Sequence, residues 1–211
     1  MTKHRCLTNT KRPYQLRARA AGMDRTRERI TRAAVELHGT IGPAATTMRG
    51  VAERAGVTRA TLYRHFANEE ALFAACSADW LAANPRPDIT RWAMTADPVE
   101  RLGMALDELY AYYRATEQMR ANLLRDIDVL PQAIQMGITA FPTSAMEIIV
   151  KGWPRRGNRL RRAVLGHAIG FETWRSLACQ GVTDREAASL MIRLTLESPD
   201  LQERPAARKG Q

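Results

Sequence analysis

Between Gly56 and Leu72 the chain reads GVTRATLYRHFANEEAL, and Thr58, Arg59, Thr61, Tyr63, Arg64 and His65 fall within eight residues of one predicted helix. These side chains are poor candidates for bond-breaking chemistry. They carry no carboxylate pair and no nucleophile beside a base. They are good candidates for reading a polyanion. Arg59 is long enough to donate a bidentate pair to guanine O6 and N7. Ala60 and Thr61 can approach base edges or a thymine methyl. Tyr63 and His65 can donate to phosphates, which fix register without reading sequence.

The elements that must position them follow from the flanking residues. Met48, Val51, Ala52 and Ala55 share one face of a short helix, with Thr46 or Thr47 as its N-cap. Gly56 supplies the positive φ that ends this helix. Thr58 caps the next helix, which runs to Phe66, and Leu62 and Phe66, at i and i+4, turn its inner face to the core. Two short helices joined by AGVT make a helix-turn-helix, whose second helix can enter a major groove by its N-terminal residues. The free N–H groups near Thr47, at the start of the first of these helices, form a further phosphate site.

Charge supports this reading. The 211 residues carry a formal net charge of +10. Residues 1–64 hold 14 Lys+Arg against 4 Asp+Glu, and the remaining residues hold 18 of each, so the whole excess lies in the first third. A basic module joined to a neutral one suits a polyanion-binding part and a part with another task. Residues 1–23 hold six basic residues and no acid and read as a disordered basic arm, residues 1–22 of which precede a second possible start at Met23. Cys6, Cys76 and Cys179 lack metal or disulfide spacing and read as reduced thiols of a cytoplasmic protein. No apolar run approaches a membrane span.

The remainder reads as all α. Asp24 is a candidate N-cap for a first helix ending near His38–Gly39. Asn68 caps a fourth helix, about 69–83, with Leu72, Phe73 and Cys76 on its apolar side. Asp97–Pro98 opens another helix, and TEQMRANLLRDI continues as a second segment. Pro131 starts a helix that Pro142 breaks or kinks. A long late helix is expected over about 159–180, stopping at Gly181, with a last one capped by Thr183. No phosphate-binding glycine loop, nucleophile elbow or His/Glu metal spacing appears. Asp126 and Asp128, two apart, would diverge on a helix. The residues therefore point to neither an enzyme nor a cofactor or metal site.

The segment TTMRGVAERAGVTRATLYRHFANEEALFAA closely resembles the DNA-binding domain of the TetR family of bacterial one-component transcription regulators. The resemblance covers about residues 24–80. It implies a three-helix DNA-binding domain with a helix-turn-helix, a connecting fourth helix, and a helical effector-binding and dimerisation domain. By position it makes Thr47, Thr58, Tyr63 and His65 phosphate contacts and brings Arg59, Ala60 and Thr61 to the bases. The expected division is therefore a basic arm at 1–23, a DNA-binding domain at 24–68, an effector and dimer domain at 69–200, and a tail at 201–211. The family implies a homodimer on double-stranded DNA, here through about residues 159–197, with an apolar or amphipathic small-molecule effector. Trp80, Met104, Tyr110, Tyr113, Met119, Met136, Phe141, His167, Phe171 and Trp174 are the candidate lining of the effector pocket. Repression, with release by the effector, is the family default.

One residue departs from the family pattern. Glu69 stands at the start of helix four, where a phosphate-binding lysine is usual. The basic arm would offset the missing cation. Removing residues 1–22 is expected to flatten the dependence of log K on log salt, by about 0.9 for each phosphate that the arm neutralises. Filter binding across a salt series measures this, and an unchanged slope would exclude the arm.

Overall fold

The computed structural model describes residues 11–153 and 158–197, and every regular element among them is helical. In chain order these are α1 (Lys11–Thr40), α2 (Met48–Arg54), α3 (Arg59–His65), α4 (Glu69–Ala83), α5 (Ile89–Met94), α6 (Pro98–Arg125), α7 (Gln132–Ile149), α8 (Asn158–Ala168), α9 (Phe171–Cys179) and α10 (Asp184–Glu197). A single 3-10 turn, Ile127–Val129, follows α6. The chain divides into two compact units. Of the described residues, the first holds those up to Ala83 together with Asn122–Pro131, and the second holds Asn84–Ala121 and those from Gln132 onward. This division by compactness differs from the expected boundary at residue 68, since α4 and a short segment from mid-chain lie in the first unit.

The expected arm is corrected where it is described. Helix α1 begins at Lys11 rather than at an Asp24 cap, so residues 11–23 are helical. LRARAAGMDRTRER contains strong helix formers, and one glycine in such a run costs only about 1 kcal/mol. Residues 1–10 and the expected tail lie outside the described residues.

In the first unit, Ile30, Ala33 and Ala34 of α1 are buried with Met48, Val51 and Ala52 of α2, Leu62 and Phe66 around α3, and Leu72 and Cys76 of α4. The α1 end is fixed by side chains from the mid-chain segment. Asn122 Nδ2 donates to the carbonyls of His38 at 3.0 Å and Gly39 at 2.9 Å. Arg125 Nη2 donates to Ile41 O at 3.0 Å, and Asp126 Oδ2 accepts Ala44 N–H at 3.0 Å. Together they satisfy the terminal carbonyls and loop amide that a helix end leaves open. Gly42 turns the chain at φ 91°, and a side chain there would collide with Arg125 and Asp126. Asp126 thus has a structural task, and the Arg125 hydrogen bond holds its carboxyl below the usual range.

In the second unit, Leu102, Ala105, Leu106, Leu109, Tyr110 and Tyr113 form one buried stripe of α6, at the helical spacing that an apolar face requires. Asp97 caps α6 as expected, accepting the Val99 and Glu100 amides at 2.8 Å. The helix is continuous to Arg125 rather than two segments. Helix α5 was not expected. It is held by the fully buried Trp92, whose indole N–H donates to Glu108 at 2.9 Å. Arg101, also buried, donates to carbonyls of Thr95 and Ala96 after α5 and of Ile148 and Lys151 at the end of α7.

Two further expectations are corrected here. Of the two outcomes expected at Pro142 the break does not occur: α7 runs on through it, and Ala145 and Ile149 beyond it are buried and hold the second half in register. Arg86 stacks 5.3 Å from the Phe141 ring and donates to Gly137 O at 3.3 Å, one turn before that proline. The expected long helix over 159–180 is two helices, α8 and α9, parted at Ile169–Gly170. The break is stabilised from α6. Tyr110 Oη donates to Ala168 O at 2.6 Å and Tyr113 Oη to Ile169 O at 2.7 Å. These bonds satisfy carbonyls that a continuous helix would have used itself. The last helix is as expected, with Gly181 at φ 79° and a capping box in which Thr183 N–H donates to Glu186 at 2.9 Å.

His38 gives the first unit a measurable pH dependence. Its ring is buried, stacked 4.5 Å from Phe73 and 3.6 Å from Cys76 Sγ. Burial lowers its pKa from 6.5 to about 4. Above pH 6.5 the ring is neutral in both states and adds no pH dependence. Below it, the unfolded chain binds a proton that the folded chain refuses until about pH 4, so stability falls as the pH falls through that window. The total loss is about 3 kcal/mol, at 1.36 kcal/mol per pKa unit. Urea unfolding of His38→Phe and the unsubstituted protein should show this part of the slope vanish in the variant. Parallel curves from neutral pH to pH 4 would contradict it.

Candidate DNA interface

Helix α3 is seven residues long and cannot stand alone. Its ends are therefore held by neighbours. Thr58 is its N-cap, in extended conformation at φ −76° and ψ 156°, and its hydroxyl accepts the Thr61 amide at 3.1 Å. The Thr58 and Thr61 hydroxyls are also 3.0 Å apart. At the other end Arg27 of α1 donates to His65 O at 2.7 Å, and its guanidinium lies 4.1 Å from the Phe66 ring centre. A cation at a helix C-terminus also complements the dipole. Arg27 was missed from the sequence, because it lies 38 residues away in chain order.

The turn before α3 follows the expected chemistry. Gly56 has φ 63°, and Val57 N–H donates to Ala52 O at 3.0 Å. Helix α2 begins at Thr47, which has φ −115° and accepts Gly50 N–H at 3.0 Å. Arg54 at the end of α2 forms a two-point pair with Glu36 of α1. Asn68 caps α4 by accepting Ala71 N–H at 2.8 Å.

With Leu62 and Phe66 buried, the other faces of α3 are displayed. Arg59, Ala60, Tyr63 and Arg64 are exposed, and Thr61 is half-buried. Arg59 lies 5.9 Å from the centre of the Tyr63 ring. A flat guanidinium against a ring loses less freedom when it meets a base edge. Thr47 and Thr58 stand exposed at the N-termini of α2 and α3. His65, like Thr61, is more enclosed than the other expected contacts. It is half-buried, and its Nε2 is buried without a hydrogen-bond partner among the described residues. Burial, then the charges of Arg64 and Arg27, lower its pKa. A neutral His65 could serve a phosphate as an N–H donor but not as a cation.

Glu69 is exposed in the first turn of α4. It also lines a cavity of about 110 Å³ in the first unit, with His38, Thr47, Met48, Phe73, Val129 and Pro131 among its walls. That cavity was not legible in the sequence, since Val129 and Pro131 come from a distant segment. Cys76 lies near its wall but is no reactive thiol, because burial pushes its pKa up to about 12.

The candidate effector residues separate. Trp80 belongs to the first unit and the other nine to the second. Tyr110, Tyr113, Phe171 and Trp174 are buried together, with Tyr113 edge-on to Phe171 at 5.4 Å and 5.9 Å from Trp174. Phe171 and Trp174 are 5.7 Å apart. Met104, Met119 and Phe141 are half-buried, whereas Met136 and His167 are exposed. His167, expected in the pocket lining, sits at the surface, with Nδ1 3.2 Å from Thr173 Oγ1. The α8–α9 break accounts for its place at a helix end.

Among the described residues every regular element is helical, and the first unit displays a short, capped second helix of a helix-turn-helix. Residues 30–76 match the family model of bacterial regulatory proteins, tetR family. The match spans the helix-turn-helix and parts of α1 and α4 on either side of it. The fold of the chain is similar to a TetR-like transcriptional regulator from Rhodococcus sp. RHA1, at TM-score 0.58 and 20% identity over 82% of this chain and 94% of the other. It is also similar to the regulator FadR of Bacillus subtilis, solved with stearoyl-CoA, at TM-score 0.53 and 17% identity over 82% and 98%. NalD of Pseudomonas aeruginosa, the secondary repressor of the MexAB-OprM multidrug efflux pump, aligns at TM-score 0.51 and 18% identity over 83% and 96%. No curated protein matches the sequence.

Proposed function

We propose that this protein is a ligand-responsive repressor that binds a palindromic operator as a homodimer and leaves it when a small-molecule effector binds. The observation that carries the reading is α3: an apolar underside, capped at both ends, and Arg59, Ala60 and Tyr63 turned outward. Such a helix enters a major groove by its N-terminal half. Arg59, Ala60 and Thr61 reach base edges, while Thr47, Thr58, Tyr63 and His65 hold the backbone. The segment with net +10 supplies the non-specific attraction.

Dimerisation falls to α8, α9 and α10. Leu160 on α8 and Leu194 and Leu196 on α10 are exposed leucines, a feature that suits pairing with a second copy. A two-fold dimer would set two α3 helices about one DNA turn, ~34 Å, apart. The effector would act by preferring the dimer whose recognition helices no longer match successive grooves, with a coupling of about 1–3 kcal/mol. Among proteins of similar fold, FadR was solved with an acyl-CoA and NalD is described as a repressor. Both fit this reading of the second unit.

Selection from a random duplex library at near-physiological salt tests the proposal. A palindrome is expected. Arg59→Ala should lose preference at one base pair in each half-site, a cost of about 1–3 kcal/mol. Salt-sensitive binding without any consensus would overturn the regulator reading in favour of a DNA-packaging role.

A further inference from the structure

Three arginines of the second unit project from α6 in different circumstances. Arg101 is saturated by backbone carbonyls. Arg114 makes a two-point pair with Asp184, at 3.1 and 2.6 Å, and Asp184 also accepts the Trp174 indole N–H at 2.8 Å. Arg120 has neither kind of partner. Its guanidinium lies 4.8 Å from the Tyr113 ring centre, 5.5 Å from Phe171 and 5.8 Å from Tyr112. Its Nε is buried with no hydrogen-bond acceptor among the described residues. Asp184 pairs with Arg114, and Glu117, three residues before Arg120, lies 3.8 Å from Arg175.

A second unsatisfied group lies beside it. Tyr110 and Tyr113 each donate to a carbonyl of the α8–α9 break. Tyr112 is only 8% exposed, yet its hydroxyl is buried and has no partner among the described residues. Buried donors are rarely left this way, and each such exception needs a physical reason. Rings can stabilise the face of a guanidinium, but its N–H donors lie in the plane and are untouched by stacking. An in-plane fork of donors on an aromatic floor matches a planar or tetrahedral oxyanion.

We infer that Arg120 and the Tyr112 hydroxyl recognise the oxyanion of the effector, a carboxylate or phosphate ester carried on an apolar body. This deepens the effector reading given above and rests on it. Arg120 is half-buried, so part of its side chain meets solvent. The site explains why a cation without an acid of its own is kept against three aromatic rings.

Four chain-matched probes test this on the full chain by calorimetry: decanoate, decyl phosphate, decanol and decylamine. At least one of the two anions should bind about tenfold or more tightly than decanol, the gain typical of a charge-assisted hydrogen bond. Which anion leads distinguishes carboxylate from phosphate. Arg120→Gln should abolish that preference, so that the anions bind no more tightly than decanol does to the same variant. Tyr112→Phe should reduce it in part, and Arg120→Lys should keep part of it, which separates loss of recognition from loss of fold. If decanol binds as tightly as the anions, or if Arg120→Gln keeps the preference, the inference is wrong. It is also wrong if no probe binds, or if Arg120→Gln only weakens the dimer in sedimentation, which would assign the counter-charge to a second copy. Release of a selected operator by an uncharged compound, unaffected by Arg120→Gln, would leave the effector reading standing while this inference fails.

Discussion

Everything proposed for the first unit depends on the burial of Leu62 and Phe66 beneath α3. A seven-residue helix has no stability of its own. These two side chains, at 0% and 1% exposure, hold it against α1 and α2. Fully burying an aromatic or leucine side chain contributes about 1.5–3 kcal/mol. That is enough to hold a short helix whose ends are also satisfied by Thr58 and Arg27. Orientation follows from the same contact. With positions 62 and 66 fixed inward, residues 59, 60 and 63 face out without further specification.

The turn, the caps and the α3 display were legible in the sequence because they are local. Gly56, Thr47, Thr58 and Asn68 act within three or four residues of themselves, so their types and spacing carry the information. The same holds for the Asp97 and Thr183 caps. The features that were not legible are long-range. The interruption at Ile169–Gly170 depends on hydroxyls 56 and 58 residues away. Helix α5 depends on Trp92 reaching Glu108, and the continuity of α7 on burial beyond Pro142. Arg27 and Asn122 look like ordinary surface polar residues until the fold brings them to helix ends.

The second unit illustrates the limit of composition as a guide to ligand sites. Large aromatics at helical spacing suit a pocket wall and a packed core equally. Tyr110, Tyr113, Phe171 and Trp174 pack on one another, and the two tyrosines spend their hydroxyls on the α8–α9 break. The distinguishing groups are those without such an engagement, Arg120 and Tyr112. Neither was singled out from the sequence, where an arginine among many carries no signal of being unpaired.

The most direct test of the central claim, that two α3 helices read one duplex as a symmetric pair, is a hydroxyl-radical footprint on a selected operator. The account predicts two patches of protection on one face of the DNA, about 10–10.5 base pairs apart or a multiple of that spacing, related by the two-fold axis of the site. Continuous protection without phasing, or one patch that does not repeat, would contradict it.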